Sequence, residues 1–293
     1  MERVARLSLF IKESDMPSIP DTSGLELIDK IYEGYVREDN NDKLYLGRLG
    51  SSSIGNECIR ETWFSWRAFD REEFEGRVLR LFGTGHWQED RVVEDLRRAG
   101  FSVWEKRDDG KQYECVDDTG HFITKLDGII KGVPRRDGAH ILEIKTHNKA
   151  SYNALYKHGV QKSKPVHYAQ IQITMKLQGL SSCVYLAVCK DDEKMYCEII
   201  EADQVEQDKI LKRIKSLTEA TMRPAGISDD ANSFGCKFCT YKEVCVRTKE
   251  PLRNCRTCVM AQPTVDGQWL CNLNNHTLSF DDQRAACEEY EAL

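Results

Sequence analysis

The sequence predicts an α/β fold in which a central mixed sheet is flanked by helices. Two observations support this prediction. Helical and strand periodicities alternate from about residue 75 to residue 222, in the order helix, strands, helix, strands, helix. Hydrophobic residues make up 40% of the chain and charged residues 31%, a balance typical of a globular domain with a full core.

Five helices are expected from apolar spacing and from signals at the helix ends. The serines at 51–53 precede the second helix, Pro165 begins the fourth, and Gly179 ends it. The third helix places His86 and Glu89 on one face. The expected helices cover residues 23–38, 54–69, 83–100, 165–178 and 203–222.

Six strands are expected from β-branched and apolar runs that are bounded by turn residues. The segment 133–138 (VPRRDG) contains Pro and Gly, which predicts a hairpin between the strands on either side of it. The charged turn at 191–193 separates the last two strands. The expected strands cover residues 101–106, 112–117, 121–133, 139–147, 183–190 and 194–201.

No run of 18 apolar residues occurs, so we expect no transmembrane helix. The first residues, MERVARLSLFIKESD, carry too much charge and too short an apolar stretch for a signal peptide. We therefore expect a protein of the reducing cytoplasm, where its twelve cysteines do not form disulfides.

Basic residues are concentrated in one segment of an acidic chain. The formal net charge is −6, yet residues 125–176 contain ten Lys or Arg against three Asp or Glu. A local basic face of this kind suits a polyanion such as DNA, whereas the alternative is a merely solvated lysine-rich face. The cations expected to contact DNA are Lys131, Arg135, Arg136 and Lys149.

The strand expected at 139–147 carries Glu143 and Lys145 within an apolar run. Alternate side chains of a strand share a face, so these two groups point the same way. Asp127 lies next to Gly128 on the adjoining strand, which brings two carboxylates and one ammonium to one sheet edge. Carboxylates suit Mg²⁺ or Mn²⁺, and an adjacent ammonium can assist phosphodiester hydrolysis. The alternative is a solvated cross-strand ion pair.

The motifs LDG (126–128) and EIK (143–145) resemble those of the PD-(D/E)xK nuclease superfamily. The chain looks most like the RecB-like exonuclease branch, in which an earlier helix carries a His and a Glu and a later helix carries a Gln. GHWQE (85–89) and YAQIQ (168–172) match those features. The resemblance covers roughly residues 50–250 and implies a restriction-endonuclease-like core. Leu126 stands where the family often has Pro.

The resemblance also implies roles for individual residues. Asp127, Glu143, the Ile144 carbonyl and His86 would ligate Mg²⁺ or Mn²⁺, and Lys145 would act on the attacking water. Glu89 would support a ligand. Gln170 would orient Lys145 or the scissile phosphate, and Gln172 is its competitor for that role.

Seven of the twelve cysteines follow residue 235, at spacings typical of metal ligands. Cys236, Cys239 and Cys245 lack a fourth ligand, and we expect Cys58 to supply it. This split arrangement resembles the iron–sulfur subset of RecB-like nucleases, which implies a structural [4Fe–4S] cluster. The alternative is a zinc site that uses Cys255 as its fourth ligand.

The tail contains a second set of four thiols. Its paired cysteines, followed by two single ones, suit a structural Zn²⁺, with His276 as an alternative ligand. The four expected ligands are Cys255, Cys258, Cys271 and Cys287. With these sites stapling the chain ends, we expect a helical N-terminal region at 1–74, a nuclease core at 75–222, an iron–sulfur segment at 223–250 and a zinc-binding tail at 251–293.

The resulting expectation is a Mg²⁺- or Mn²⁺-dependent deoxyribonuclease, an exonuclease of phage-type recombination, repair or degradation. If the chain is phage-encoded, it would act in the infected cell. Its partners would be DNA ends or single strands and a single-strand annealing or other DNA-binding protein. The alternatives are a catalytically silent DNA-binding accessory protein and an endonuclease. No GxxxxGK[ST] motif occurs, so the sequence contains no Walker-type motor.

Overall fold

The structure, a computed structural model, describes residues 23–39, 44 and 46–293. Contacts divide these residues into two compact units. One contains residues 23–39 and 74–83, and the other contains the described part of 42–73 together with 84–293. Expectations for residues 1–22, 40–43 and 45, including part of the region at 1–74, lie outside the described residues.

Five of the helices correspond to the sequence expectations, with ends shifted by up to seven residues, and α4, α7 and α8 are additions. The helices are α1 (Ser23–Asp39), α2 (Ile59–Trp66), α3 (Gly76–Arg98), α4 (Lys149–Ser163), α5 (Pro165–Gln178), α6 (Gln204–Thr218), α7 (Lys242–Cys245) and α8 (Phe280–Ala285). None of those within the described residues is long and apolar enough to cross a membrane.

The strands form three separate sheets. They are β1 (Leu49–Gly50), β2 (Ser102–Trp104), β3 (Glu114–Val116), β4 (Phe122–Lys125), β5 (Gly128–Lys131), β6 (Ala139–His147), β7 (Ser182–Cys189), β8 (Met195–Glu201), β9 (Ala261–Pro263), β10 (Trp269–Cys271) and β11 (His276–Thr277). The largest sheet has the order β2-β5-β6-β7-β8, in which only β6 and β7 are parallel. The expected mixed sheet and the expected hairpin of β5 and β6 are therefore confirmed.

Helices cover both faces of the five-stranded sheet. On one face, Val92 and Val93 of α3 belong to a core with Leu142 and Ile144 of β6. On the other face, α4 and α5 contribute a second core, whose buried members include Leu155, Val160, Ile171 and Met175. The α/β class with a flanked mixed sheet is thus confirmed, and it is compatible with a restriction-endonuclease-like core.

The single strand expected at 121–133 is wrong, because the chain leaves one sheet and enters another. β4 pairs with β1 and β3, whereas β5 pairs with β2 and β6. The break is stabilised at Leu126, which is fully buried; its N–H donates to the Tyr113 carbonyl at 3.0 Å and its carbonyl accepts from Gln112 Nε2 at 2.8 Å. Asp127 follows directly, at the junction of the two sheets.

Helix α4 was absent from the sequence expectations. Its N-cap is Asn148, whose side chain accepts a hydrogen bond from Ser151 N at 2.9 Å. Few of its residues are apolar, and Gly159 interrupts it with a φ of 72° and a ψ of 173°. Because of these two features, apolar periodicity does not predict this helix.

A further core joins α2 to α6 and to the cysteine-rich end of the chain. Trp63, Phe64 and Phe69 pack with Tyr241 and Trp269 in one buried cluster. The residues after 223, expected as loops, contain the sheet β11-β10-β9 and the two short helices. The tail therefore shares its hydrophobic core with α2.

Two buried arginines, Arg256 and Arg67, reinforce the packing of the tail against α2. Arg256 donates to the carbonyls of Leu46, Gly47 and Trp66 at 2.8, 2.7 and 3.1 Å. Arg67 lies between the rings of Trp63 and Trp269, at 4.7 and 5.0 Å from their centroids. Burial lowers the pKa of Arg67 to about 9, so the guanidinium still carries its charge at neutral pH.

We expect Arg256→Ala to lower the free energy of unfolding by at least about 3 kcal/mol, because several buried carbonyls would lose their donor. Chemical denaturation measures this loss. Arg98→Ala is the matched control, since its guanidinium forms only exposed ion pairs with Glu94 and Asp95 and should contribute about 0–1 kcal/mol. Equal effects of the two substitutions would contradict the role assigned to Arg256.

Candidate active site

The break before β5 places the Asp127 carboxylate beside the backbone of β6. The pairing of β5 with β6 ends at Gly128 and Leu142, so β5 supplies no partner for the N–H of Ile144. Asp127 Oδ2 accepts a hydrogen bond from that N–H at 2.8 Å. The carboxylate thus replaces a strand at this point and is held in a fixed position.

Glu143 and Lys145 lie on the face of β6 that is turned toward α4 and α5. Glu143 is 1% exposed, and its Oε1 contacts Lys145 Nζ. Lys145 Nζ also lies 3.9 Å from Asp127 Oδ2. Glu143 Oε2 has no hydrogen-bond partner among the described residues. Two carboxylates and one ammonium therefore converge, with one buried oxygen left without a donor.

Burial sets the protonation behaviour of this group. It raises the pKa of Glu143 to about 7, an effect that Lys145 opposes and Asp127 reinforces. Burial alone would lower the pKa of Lys145, but the charges of Glu143 and Asp127 outweigh it and raise that pKa. Lys145 is therefore an ammonium at neutral pH, while Glu143 favours either a proton or a neighbouring cation.

Helix α3 brings Glu89 within electrostatic reach of the same group. Burial and the charge of Asp127 raise the pKa of Glu89, and Lys145 and His86 oppose the shift. Glu89 is half-buried, whereas His86 is exposed. The two residues lie one turn apart on the helix.

The two glutamines of α5 have different surroundings. Gln172 is fully buried; its Nε2 donates to the Glu201 carbonyl at 2.9 Å and its Oε1 accepts from Asp203 N at 2.8 Å. These hydrogen bonds fix the Gln172 side chain against the loop before α6. Gln170 is only partly buried, and no side-chain bond of it to the described residues is formed. Of the two, Gln170 has the side chain that is available for a substrate.

The structure adds a histidine pair that the sequence reasoning missed. His147 follows Lys145 by two residues on β6, and its Nε2 lies 3.1 Å from Tyr185 Oη. His167 Nδ1 lies 2.9 Å from the same hydroxyl, and the two imidazole rings stack with centroids 5.8 Å apart. Two spacings in the sequence indicate this pair. His147 continues the alternation of Glu143 and Lys145 along the strand, and His167 lies one helical turn before Gln170.

The four cations expected to contact DNA do not form one surface of free charges. Lys149 is paired with Asp192 and Arg136 with Glu201. Arg135 and Arg136 lie in the turn after β5, at the opposite end of that strand from Asp127. Lys131 Nζ lies 5.7 Å from the centroid of the Trp104 ring.

All twelve cysteines, each in the described part of the chain, are free of disulfide bonds. One cavity, with about 420 Å³ of empty space, is lined by Cys58, Cys236, Cys239 and Cys245. Burial raises the pKa of Cys239 to about 11, and the neighbouring Cys58 and Cys245 contribute to the shift. Arg60 Nη1 donates to Cys245 Sγ at 3.3 Å. Cys255 does not line this cavity.

A smaller cavity, with about 290 Å³ of empty space, is lined by Cys255, Cys258, Cys271 and Cys287. Burial raises the pKa of Cys255 to about 11, and the other three cysteines reinforce the shift. His276 is exposed, pairs with Cys271 in the β10–β11 ladder and lies outside the cavity lining.

Within the described residues, no group of three or more His, Cys, Asp or Glu side chains is drawn together as a ready metal site. The donor sets nevertheless have the chemistry of metal ligands. Each thiol set lines one cavity. The buried Oε2 of Glu143 has no hydrogen-bond donor among the described residues, and a cation would fill the place of that donor.

Comparison with known proteins gives structural similarities alone. No protein-family model and no curated protein matches the sequence. An alkaline exonuclease (LHK-Exo) from Laribacter hongkongensis is 18% identical with a TM-score of 0.41, covering 63% of this chain and 90% of its own. Its complex with dAMP is 16% identical with a TM-score of 0.40, covering 64% and 89%. The protein SSO0001 is 14% identical with a TM-score of 0.43, covering 75% and 96%. These similarities are too low to define what this chain does.

The histidine pair should make the protein sensitive to acid. Burial and the nearby Lys145 and Lys164 lower the pKa of His147 to about 4 and of His167 to about 3, from 6.5. The unfolded chain therefore binds more protons below pH 6.5, so stability is present above that pH and is lost toward pH 4. Between pH 6.5 and pH 4, the free energy of unfolding of the double variant His147→Gln/His167→Gln should fall by about 1–2 kcal/mol less than that of the wild type.

Denaturation at a series of pH values between 7 and 4 measures the effect. His276→Gln is the control, because His276 is exposed. Parallel pH profiles for the wild type and the double variant would show that these imidazoles do not control the acid sensitivity.

Proposed function

We propose that this chain is a Mg²⁺- or Mn²⁺-dependent deoxyribonuclease that hydrolyses phosphodiester bonds. The observation that supports it most is the convergence of Asp127, Glu143 and Lys145, with Lys145 Nζ in contact with Glu143 and 3.9 Å from Asp127. A buried carboxylate is costly unless it is paired or binds a cation. Here the pairing is incomplete, because Glu143 Oε2 lacks a partner among the described residues.

Asp127 and Glu143 are the residues that would hold the divalent ion, with the exposed His86 and the Ile144 carbonyl as further ligands. The side chain of Ile144 is buried on the other face of the sheet, so only its backbone can contribute. When bound, the ion supplies Lewis-acid polarisation of the phosphate oxygens. Glu89 supports the site electrostatically from α3.

Lys145 would act as a hydrogen-bond donor and not as a proton acceptor. Its raised pKa keeps it protonated at neutral pH. As an ammonium beside the scissile phosphate, it would orient the attacking water and stabilise the negative charge on the phosphoryl oxygens in the transition state. Gln170, whose side chain is available on α5, would position Lys145 or the phosphate.

We further propose an exonuclease of DNA recombination, repair or degradation, in keeping with the sequence motifs. Hydrolysis of end-labelled linear DNA but not of covalently closed circular DNA would support an exonuclease. Cleavage of the circle would indicate an endonuclease. Binding of DNA without hydrolysis in the presence of either metal ion would support the alternative, a catalytically silent accessory protein.

Lys145→Ala should reduce the rate of DNA hydrolysis by about 10²–10³-fold, since the variant lacks the ammonium that orients the water and stabilises the negative charge of the transition state. The circular dichroism spectrum should remain that of the wild type. Rates on a labelled linear substrate with Mg²⁺ or Mn²⁺ measure the effect.

The matched control is Lys194→Ala, because Lys194 is an exposed lysine that pairs with Asp192 on the surface. Its rate should equal that of the wild type. Hydrolysis by Lys145→Ala within a few-fold of the wild-type rate would remove Lys145 from the mechanism.

We also propose that the larger thiol cavity binds a [4Fe–4S] cluster and the smaller one Zn²⁺. Four thiols line each cavity, and the first set combines Cys58, at the start of α2, with three late cysteines. The hydrogen bond from Arg60 to Cys245 Sγ is of the type that tunes cluster sulfurs. Both sites would be structural, because metal binding to such thiolates contributes directly to folding.

Cys58→Ser should remove iron and the brown colour of the protein and lower its thermal stability, because Cys58 joins α2 to the late cysteines. Cys271→Ser should remove zinc and leave the colour. Elemental analysis, sulfide determination and visible absorption measure these outcomes, and Cys197→Ser, outside both sets, is the control. Zinc without iron or sulfide after anaerobic purification would refute the cluster and leave the nuclease proposal intact.

A further inference from the structure

Two of the five tryptophans are exposed, which is unusual for so large an apolar side chain. Trp63, Trp66 and Trp269 are buried in the core that joins α2 to the tail. Trp87 is 60% exposed and Trp104 is 42% exposed. Neither of the exposed rings is needed to fill a core, so each is a candidate for contact with a ligand.

The sheet register places Trp104 on the face of the sheet that carries Glu143. Trp104 lies opposite Ile129 in the β2–β5 ladder, and Asp127 precedes Ile129 by two residues. Ile129 lies opposite Ile141, which precedes Glu143 by two residues on the same face of β6. The indole therefore lies on the sheet face that carries Glu143, and Asp127 lies just beyond the end of the β2–β5 ladder at which Trp104 stands.

β2 is the outer strand of the five-stranded sheet, so a ligand can approach Trp104 from the side. Lys131 supplies a positive charge on that face, with Nζ 5.7 Å from the centroid of the indole. An aromatic face combined with a cation is the arrangement that binds single-stranded nucleic acid, where a base stacks on the ring and the cation binds a phosphate. Paired bases of a duplex do not present such a free face.

Trp87 is a weaker candidate for contact with a ligand. Its cation, Arg91, lies 5.7 Å from the ring but is engaged with Glu193 at 2.6 Å. The helix that carries it packs through Val92 and Val93 on the opposite face of the sheet. Of these two, Trp104 alone combines exposure, a cation and the sheet face of Glu143.

We propose that Trp104 and Lys131 bind a base and a phosphate of single-stranded DNA, so that the preferred substrate is a single strand or an unpaired end. This inference deepens the proposed function and rests on it for the position of the scissile bond. Stacking of one base contributes about 1–3 kcal/mol, which corresponds to about 5- to 150-fold in Kd.

Fluorescence anisotropy at fixed salt, with EDTA to prevent hydrolysis, tests the inference with three probes of equal length: oligo(dT), its abasic counterpart and a duplex. Trp104→Ala should raise the Kd for oligo(dT) by about 5- to 150-fold and leave the Kd for the abasic strand unchanged. Trp104→Phe should restore most of the affinity. Oligo(dT) should quench tryptophan emission of the wild type more than that of Trp104→Ala.

Phe280→Ala is the matched control, because Phe280 is an exposed aromatic residue with Arg284 Cζ 5.9 Å from its centroid, but it lies in the tail. Its affinities should equal those of the wild type. An oligo(dT) Kd for Trp104→Ala within twofold of the wild type would overturn the inference, as would equal losses for oligo(dT) and the abasic strand.

Failure of the proposed function gives a different result. If the wild type hydrolyses no DNA but Trp104→Ala selectively loses affinity for oligo(dT), the stacking surface is retained and the nuclease proposal is rejected. Hydrolysis that depends on Lys145 but not on Trp104 would retain the nuclease and reject the stacking surface.

Discussion

The burial of the Glu143 carboxylate is the constraint around which the central sheet is arranged. A charge that is 1% exposed must be compensated. Lys145 on the same strand face contacts Oε1, whereas Oε2 has no hydrogen-bond partner among the described residues. Burial raises the pKa of Glu143 to about 7, and the charge of Lys145 opposes that shift. The proposed divalent ion would supply the missing partner of Oε2.

The same site depends on a strand that stops early. Because β5 begins at Gly128, the N–H of Ile144 lacks a strand partner, and the Asp127 carboxylate takes that place. A strand that continued through residue 126 would pair with β6 and displace the carboxylate. The break thus meets a structural requirement of β6 and fixes the position of the Asp127 carboxylate, which we propose as a metal ligand.

The ends of the chain are tied together by different physical chemistry. Arg256 and Arg67 carry buried charges that backbone carbonyls and indole rings stabilise. This junction holds Cys58, at the start of α2, near the late cysteines that line the same cavity. It also explains how a tail with few apolar residues shares a core with α2.

The sequence by itself determined the α/β class, the strand at 139–147 and the helix that begins at Pro165, because local periodicity and end signals decide such elements. It also indicated Asp127, Glu143 and Lys145 as a group. It could not show the break at Leu126, since that strand divides between two sheets through hydrogen bonds to Tyr113 and Gln112. Nor could it distinguish the surroundings of Gln170 and Gln172, or place Trp104 on the sheet face of Glu143. Those outcomes depend on contacts between residues far apart in the chain, which only the tertiary structure decides.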